Sequence, residues 1–234
     1  LPISFTDLHP GLYRFATPAE IDAEFAAADA AVKGGTTRAA MLLTVSRLAA
    51  AVQRWVPVVD EIVRACLDEK IESGRIDFVD DLANIVPAVL TLALMGVPLA
   101  QWQVYCEPAH ASVYTPPGSP DFSRVAQLQL ASATDMMAHV AQIRQNPRPG
   151  LIDALVRLRV DGEPAPDIEL MGMLMLLIGG GFDTTTALTA HALEWLSQHP
   201  DQRERLSRER ATLLDPATEE FLRFFTPADR KSVV

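Results

Sequence analysis

One stretch limits the fold more than any other. Residues 167 to 198 follow Pro166, contain no proline, and are apolar for most of their length. That pattern predicts one long helix, and before Gly179 it is apolar on every side, as expected of a helix buried all round. Inside it stands LLIGGGFDTTTALTAH, residues 176 to 191. Three consecutive glycines each cost about 1 kcal/mol in a helix interior, so something must compensate. Glycine removes bulk, and a flat or small ligand can then lie against the backbone. Thr184 comes four residues after Gly180, on the same face. Its hydroxyl can bond back to the Gly180 carbonyl, which bends or opens a helix. Asp183 points about a quarter-turn away. A carboxylate beside a hydroxyl over a glycine groove is a plausible proton relay. The ordinary alternative is that both residues only satisfy polar groups against a neighbouring helix.

The remaining segments read as helices of ordinary length. Thr17, Pro18 and Glu20 start a helix over 18 to 33 that Gly34 and Gly35 stop. Residues 37 to 54 are Ala-rich and amphipathic, and 55 to 73 carry apolar residues at helical spacing up to Gly74. Asp77 is placed to cap the next helix, Pro87 to kink or divide it, and Gly96 to close it. YTPPGSPDFS is a loop, 121 to 145 a helix, NPRPG a break, and LIDALVRLRV a short helix. Beyond Pro200 comes a charged helix, DQRERLSRERATLL, and then a last one over about 216 to 225, started by Asp215 and Pro216. No strand run exceeds four residues and no repeat is visible. The expected fold is mainly α, one unit over 1 to 234.

Composition agrees. Aromatics are 6 % and hydrophobic residues 49 %, rich in Ala and Leu, which favours packed helices over sheets. A net charge of −10 repels phosphate backbones and argues against nucleic acid as a partner. The two cysteines, Cys66 and Cys106, have no second Cys or His at the spacing of a metal site and read as small hydrophobes. A reducing, cytoplasmic compartment fits them. No apolar run is read as spanning a bilayer; the longest candidate, IVPAVLTLALMGVPLA, is interrupted by Pro87 and Pro98. Leu1 in place of Met is expected of a chain cut from a longer one. His110, His139, His191 and His199 are scattered, and RERLSRER reads as a solvated helix face.

A second motif sharpens the reading. In EEFLRF, Glu220 and Arg223 lie three apart on one helix face and can pair. Alone this is weak. GGFDTTTALTAHALEWLSQHPDQRERL followed by TEEFLRFFTPA resembles the cytochrome P450 family in its soluble bacterial type. The resemblance extends upstream through RWVPVVDEIVRACLDEKIESGRIDFVDDLANIVPAVLTLALMGVPLAQW and DALVRLRVDGEPAPDIELMGMLMLLIGGG, and covers about residues 36 to 229.

That resemblance implies a partial P450 helical fold with a long central distal helix, and haem as cofactor. It implies a monooxygenase that inserts one oxygen atom of O2 into a small organic substrate. It assigns Gly180 and Gly181 to the oxygen groove, Asp183 to proton relay and Thr184 to ordering the proton donor. Glu220 and Arg223 match a structural pair on the proximal side. The family usually holds a haem propionate with a His and an Arg four apart; Thr36 and Ala40 stand there, Arg38 and Arg47 are the nearest cations, and Arg38 is the one expected to reach a propionate. The family's axial cysteine lies well beyond Arg223, so the resemblance implies that this chain lacks it and is not competent alone. Ferredoxin-type or flavin redox partners are implied for the full-length family. An uncovered half-core predicts self-association. Substrate contacts are expected in residues 1 to 30 and 108 to 125, with Tyr114, Phe122 and Phe182 as pocket candidates, and Met171 or Met175 beside them. The competing functions are a non-catalytic P450-like helper that stabilises a partner enzyme, and a helical interaction module without activity.

Overall fold

The computed structural model describes residues 52 to 225 apart from 117, 149 and 161 to 162. The expected helices over 18 to 33 and 37 to 54 lie outside or almost outside these residues, as do Thr36, Arg38, Ala40 and Arg47.

Nine α-helices and one tiny hairpin follow in order among the described residues. They are α1 (Val56–Ile71), α2 (Ile85–Met95), α3 (Trp102–Tyr114), α4 (Phe122–Gln145) and α5 (Leu151–Val156). After β1 (Arg159–Val160) and its antiparallel partner β2 (Glu163–Pro164) come α6 (Asp167–Gly181), α7 (Asp183–Gln198), α8 (Pro200–Arg208) and α9 (Arg210–Phe224). The mainly α fold is therefore as the sequence predicts.

The most apolar helix, α2, forms the middle of the core. Ala88, Val89, Leu92 and Ala93 on it are fully buried, packed with Ile62 and Cys66 of α1, Met136 and Val140 of α4, and Leu174 of α6. Gly96 ends α2 with a positive φ of 81°, a left-handed turn that favours glycine. Upstream, Asp77 Oδ1 accepts the backbone N–H groups of Val79 and Asp80, and Asp81 returns a bond to the Asp77 N–H. This reciprocal cap starts a π-helical turn over Val79–Ala83.

Pro87 sits in the first turn of α2, where a missing N–H is least harmful, and the chain does not divide there. The proline still has a consequence. In a continuous α-helix the Ala83 carbonyl would accept the N–H four residues on, and that residue is Pro87. The buried hydroxyl of Thr186 donates to the Ala83 carbonyl instead, at 2.9 Å. A side chain 103 residues away thus satisfies the carbonyl and ties α7 to the start of α2.

Four expectations need correction. The central helix is not one helix: it breaks at Phe182, whose φ of −94° and ψ of −82° leave the helical range. It is not buried all round either. Leu170, Leu174 and Ile178 face the core, while Ile168 and Leu176 are 79 % and 76 % exposed. Among the described residues α2, α3, α4, α5 and α7 contact α6, and these positions stay uncovered. Taken as one stretch, Asp167–Gln198 is also long and apolar enough to cross a membrane, by length and composition only. The core helix of a soluble protein passes the same test, and this one carries α2 packed along it. Finally, the last helix starts at Arg210 and runs through Pro216; the chain bends at Glu209 instead, with φ −105° and ψ 26°.

Candidate functional site

The site forms where the two halves of the central element meet. Gly179 and Gly180 are exposed at the end of α6, and a methyl group built on either would meet nothing within 4 Å. Gly181 differs. A Cβ there would collide with the Thr91 side chain, so this glycine lets α6 approach α2. The open surface therefore lies over Gly179 and Gly180, while a side chain at Gly181 would point into the contact with α2. Exposed Leu176 and Leu177 extend the open strip with apolar surface.

Phe182 marks the break. It is fully buried in the core, so it is a packing residue and not a pocket residue. Asp183 then begins α7 as an acidic residue in its first turn, where the helix dipole favours a carboxylate. Thr184 donates its hydroxyl to the Gly180 carbonyl at 2.7 Å, the back-bond that the four-residue spacing predicts. Thr186, one turn deeper, makes the bond to Ala83. The cluster of threonines is thus divided between a helix-opening bond, an exposed position at Thr185, and an interhelix tie.

Sequence reasoning missed the partner of Asp183. The Nδ1 atom of His110, on α3, lies 2.5 Å from Asp183 Oδ1. The other ring nitrogen lies 3.0 Å from Cys106 Sγ. Asp183 first, and Cys106 second, raise the His110 pKa from 6.5 to about 10, against the opposing effect of burial. The ring is therefore an imidazolium near neutral pH. The signal was present in the sequence: Cys106 and His110 are spaced i, i+4 on one helix face. Among the described residues no three His, Cys, Asp or Glu side chains gather as a metal site. Cys66 is sealed in the core, where burial and then the nearby Glu69 and Asp81 push its thiol up to about 11. Neither cysteine is placed as an exposed thiolate ligand.

A cavity of about 510 Å³ lies between α3, α4 and α6, bordered by Ala109, Ser112, Leu130, Met175, Ile178 and Gly179. Met175 thus lines a cavity beside the glycines. Tyr114 and Phe122 are 76 % and 45 % exposed and do not line it. Tyr105 also borders the cavity, and its hydroxyl donates to Asp135 Oδ2 at 2.5 Å. Far along the chain, Arg223 grips Glu220 in a two-bond fork of 2.7 and 2.6 Å, exposed on α9. The guanidinium holds the Glu220 carboxyl below its usual range.

An open, apolar glycine face beside a hydroxyl and a carboxylate suits a flat, hydrophobic group. Comparison with known proteins points the same way. No family model matches the chain. The cytochrome P450 monooxygenase PikC of Streptomyces venezuelae is 32 % identical over 177 residues, covering 74 % of this chain and 41 % of the relative. The vitamin D3 dihydroxylase of Streptomyces griseolus is 30 % identical over 178 residues, covering 74 % and 42 %. Among solved structures, the Bacillus subtilis polyketide synthase cytochrome P450 PksS superposes with a TM-score of 0.68 at 25 % identity, covering 76 % of this chain and 45 % of that one. The chain spans about two fifths of the length of the curated relatives it matches.

Proposed function

Because the chain belongs to the cytochrome P450 family over about three quarters of its length, we propose that it supplies the oxygen-side wall of a haem pocket in a monooxygenase. The carrying observation is the open face over Gly179 and Gly180 immediately before Asp183 and Thr184. When bound, haem would supply the redox chemistry that activates O2 and oxygenates an organic substrate. The glycines offer backbone without side chains for close approach, and Leu176 and Leu177 exclude water beside them. Thr184 spends its proton on the Gly180 carbonyl, which leaves its oxygen free to accept and so to order a water. Asp183 exchanges protons between such a water and the interior. Gly180 stays in this reading as a face residue; Gly181 acts through packing. The Glu220–Arg223 fork serves fold and not chemistry. The cavity beside Gly179 would take a small organic substrate, and electrons would come from a ferredoxin-type or flavin partner in the cytoplasm.

A sulfur ligand for that group would not come from Cys66, sealed in the core, nor from Cys106, engaged with His110. On this reading these 234 residues supply no sulfur ligand and need another segment to act as a monooxygenase. The test is the spectrum of reduced, carbon-monoxide-treated protein. The chain by itself gives no thiolate Soret band. The same chain fused ahead of the cysteine-bearing segment of a matched relative gives one, and Gly180→Leu in that fusion removes it. A thiolate band from the chain alone would refute the cysteine assignment. A fusion that folds and takes up no haem would favour the non-catalytic helper.

A further inference from the structure

The contacts of Cys106 and His110 play no part in the chemistry so far described, yet they end on its acid. Both side chains project from one face of α3 toward the central element. The His110 ring lies between them, 3.0 Å from Cys106 Sγ and 2.5 Å from Asp183 Oδ1. Cys106 is 4 % exposed, which closes its thiol to any substrate and rules it out as a nucleophile. Asp183 Oδ1 is closed to water and has no other hydrogen-bond partner. The neighbouring carboxylate on α3, Glu107, is committed to Arg124 of α4 at 2.7 Å, so it does not compete for the ring.

We propose that Cys106 and His110 form a thiol–imidazole clasp that positions Asp183, fixing its carboxylate at the start of α7 and keeping a proton beside it. The inference rests on reading Asp183 as the group that handles protons. Both ring nitrogens are engaged, so His110 cannot turn without losing both contacts. The carboxylate it faces is therefore held in one rotamer, over the helix break. The balance of the proton is simple. The Nδ1 proton of His110 passes to the Asp183 carboxylate, which hands it on to a water in the site. The ring is left neutral with its Nε2 proton on the Cys106 side. Solvent, which reaches 20 % of the His110 side chain, returns what was lost. An arginine in the same place would hold the acid but release a proton far less readily.

Histidine-selective nitrogen NMR of the full chain tests the clasp, because it follows all five imidazoles at once. The His110 signal, identified by its loss in His110→Gln, stays protonated several pH units beyond the exposed histidines. Asp183→Asn, close in shape, returns it to their range, and Cys106→Ala lowers it by a smaller step. A His110 that titrates with the others, or ignores Asp183→Asn, overturns the proposal. The second readout uses the haem-loaded fusion. His110→Gln leaves substrate affinity unchanged and lowers product formed per electron consumed by about tenfold, a modest part of what a positioned proton donor contributes. His110→Lys restores the hold on Asp183 and part of the yield. Unchanged coupling in both variants overturns the positioning role. A fusion that never takes up haem would sink the monooxygenase reading, while the titration would still decide the clasp.

Discussion

The adjacent glycines at 180 and 181 have opposite reasons to exist, and substitution separates them. Gly180 meets open space, so Gly180→Ala removes backbone freedom without a clash and should stabilise the chain by about 0.5 to 1 kcal/mol. Gly181→Ala drives a methyl into the side chain of Thr91, buried and β-branched, and should destabilise by about 1 to 3 kcal/mol. Adding Thr91→Ala should recover most of that loss. Urea denaturation of the single and double variants checks both; equal effects at the two glycines would mean that Gly181 is not at a helix contact. His110 offers a residue-scale test of charge. Its folded pKa is raised above the unfolded value, so the stabilisation is complete below about pH 6.5 and disappears as pH rises through about 10. The difference in unfolding free energy between the natural chain and His110→Gln should be on the order of 2 kcal/mol near pH 6 and shrink steadily toward pH 10. A difference independent of pH would place the ring outside the ion pair.

At the scale of elements, the bond from Thr186 to Ala83 has a predictable coupling. Thr186→Val strands a carbonyl whose helical donor Pro87 cannot supply, at a cost of about 1 to 3 kcal/mol. With Pro87→Ala in place, the new N–H can take that carbonyl, and the same Thr186→Val should cost markedly less. A double-mutant cycle measured by denaturation reads the coupling, and strict additivity would mean that the two sites are independent. This link also shows where sequence reasoning stops. Caps and glycine stops were legible because they are local: Asp77, Gly74 and Gly96 act within a turn of where they stand. So was the Thr184 back-bond. The Ala83–Thr186 bond and the His110–Asp183 pair were not, because each joins residues that only packing brings together. Pro216 misled for a related reason: a proline starts a helix readily, yet neighbours can carry one inside it, as α9 does.

For the whole molecule, the exposed apolar surface is the feature with a measurable outcome. Ile168, Leu176, Val113 and Tyr114 are each more than 60 % exposed. Such surface seeks cover. Sedimentation should show association that grows with concentration, and Ile168→Glu with Val113→Glu should shift it toward monomer. A chain that remains monomeric at high concentration would mean that these residues form no interface. The mainly α architecture and the order of motifs were visible in the residues, since helical periodicity and glycine stops recur along the chain. The burial of α6 was not, because its apolar residues point both to the core and away from it. Phe182, wedged in the core at the junction of α6 and α7, carries one more implication. It acts as a pin from which the distance to the carboxylate is counted: one residue. Inserting a single amino acid after it would rotate Asp183 by about 100° about the helix axis, away from His110, and deleting one would remove the carboxylate. Length at this joint should therefore be far less tolerant of change than the identity of the side chains around it.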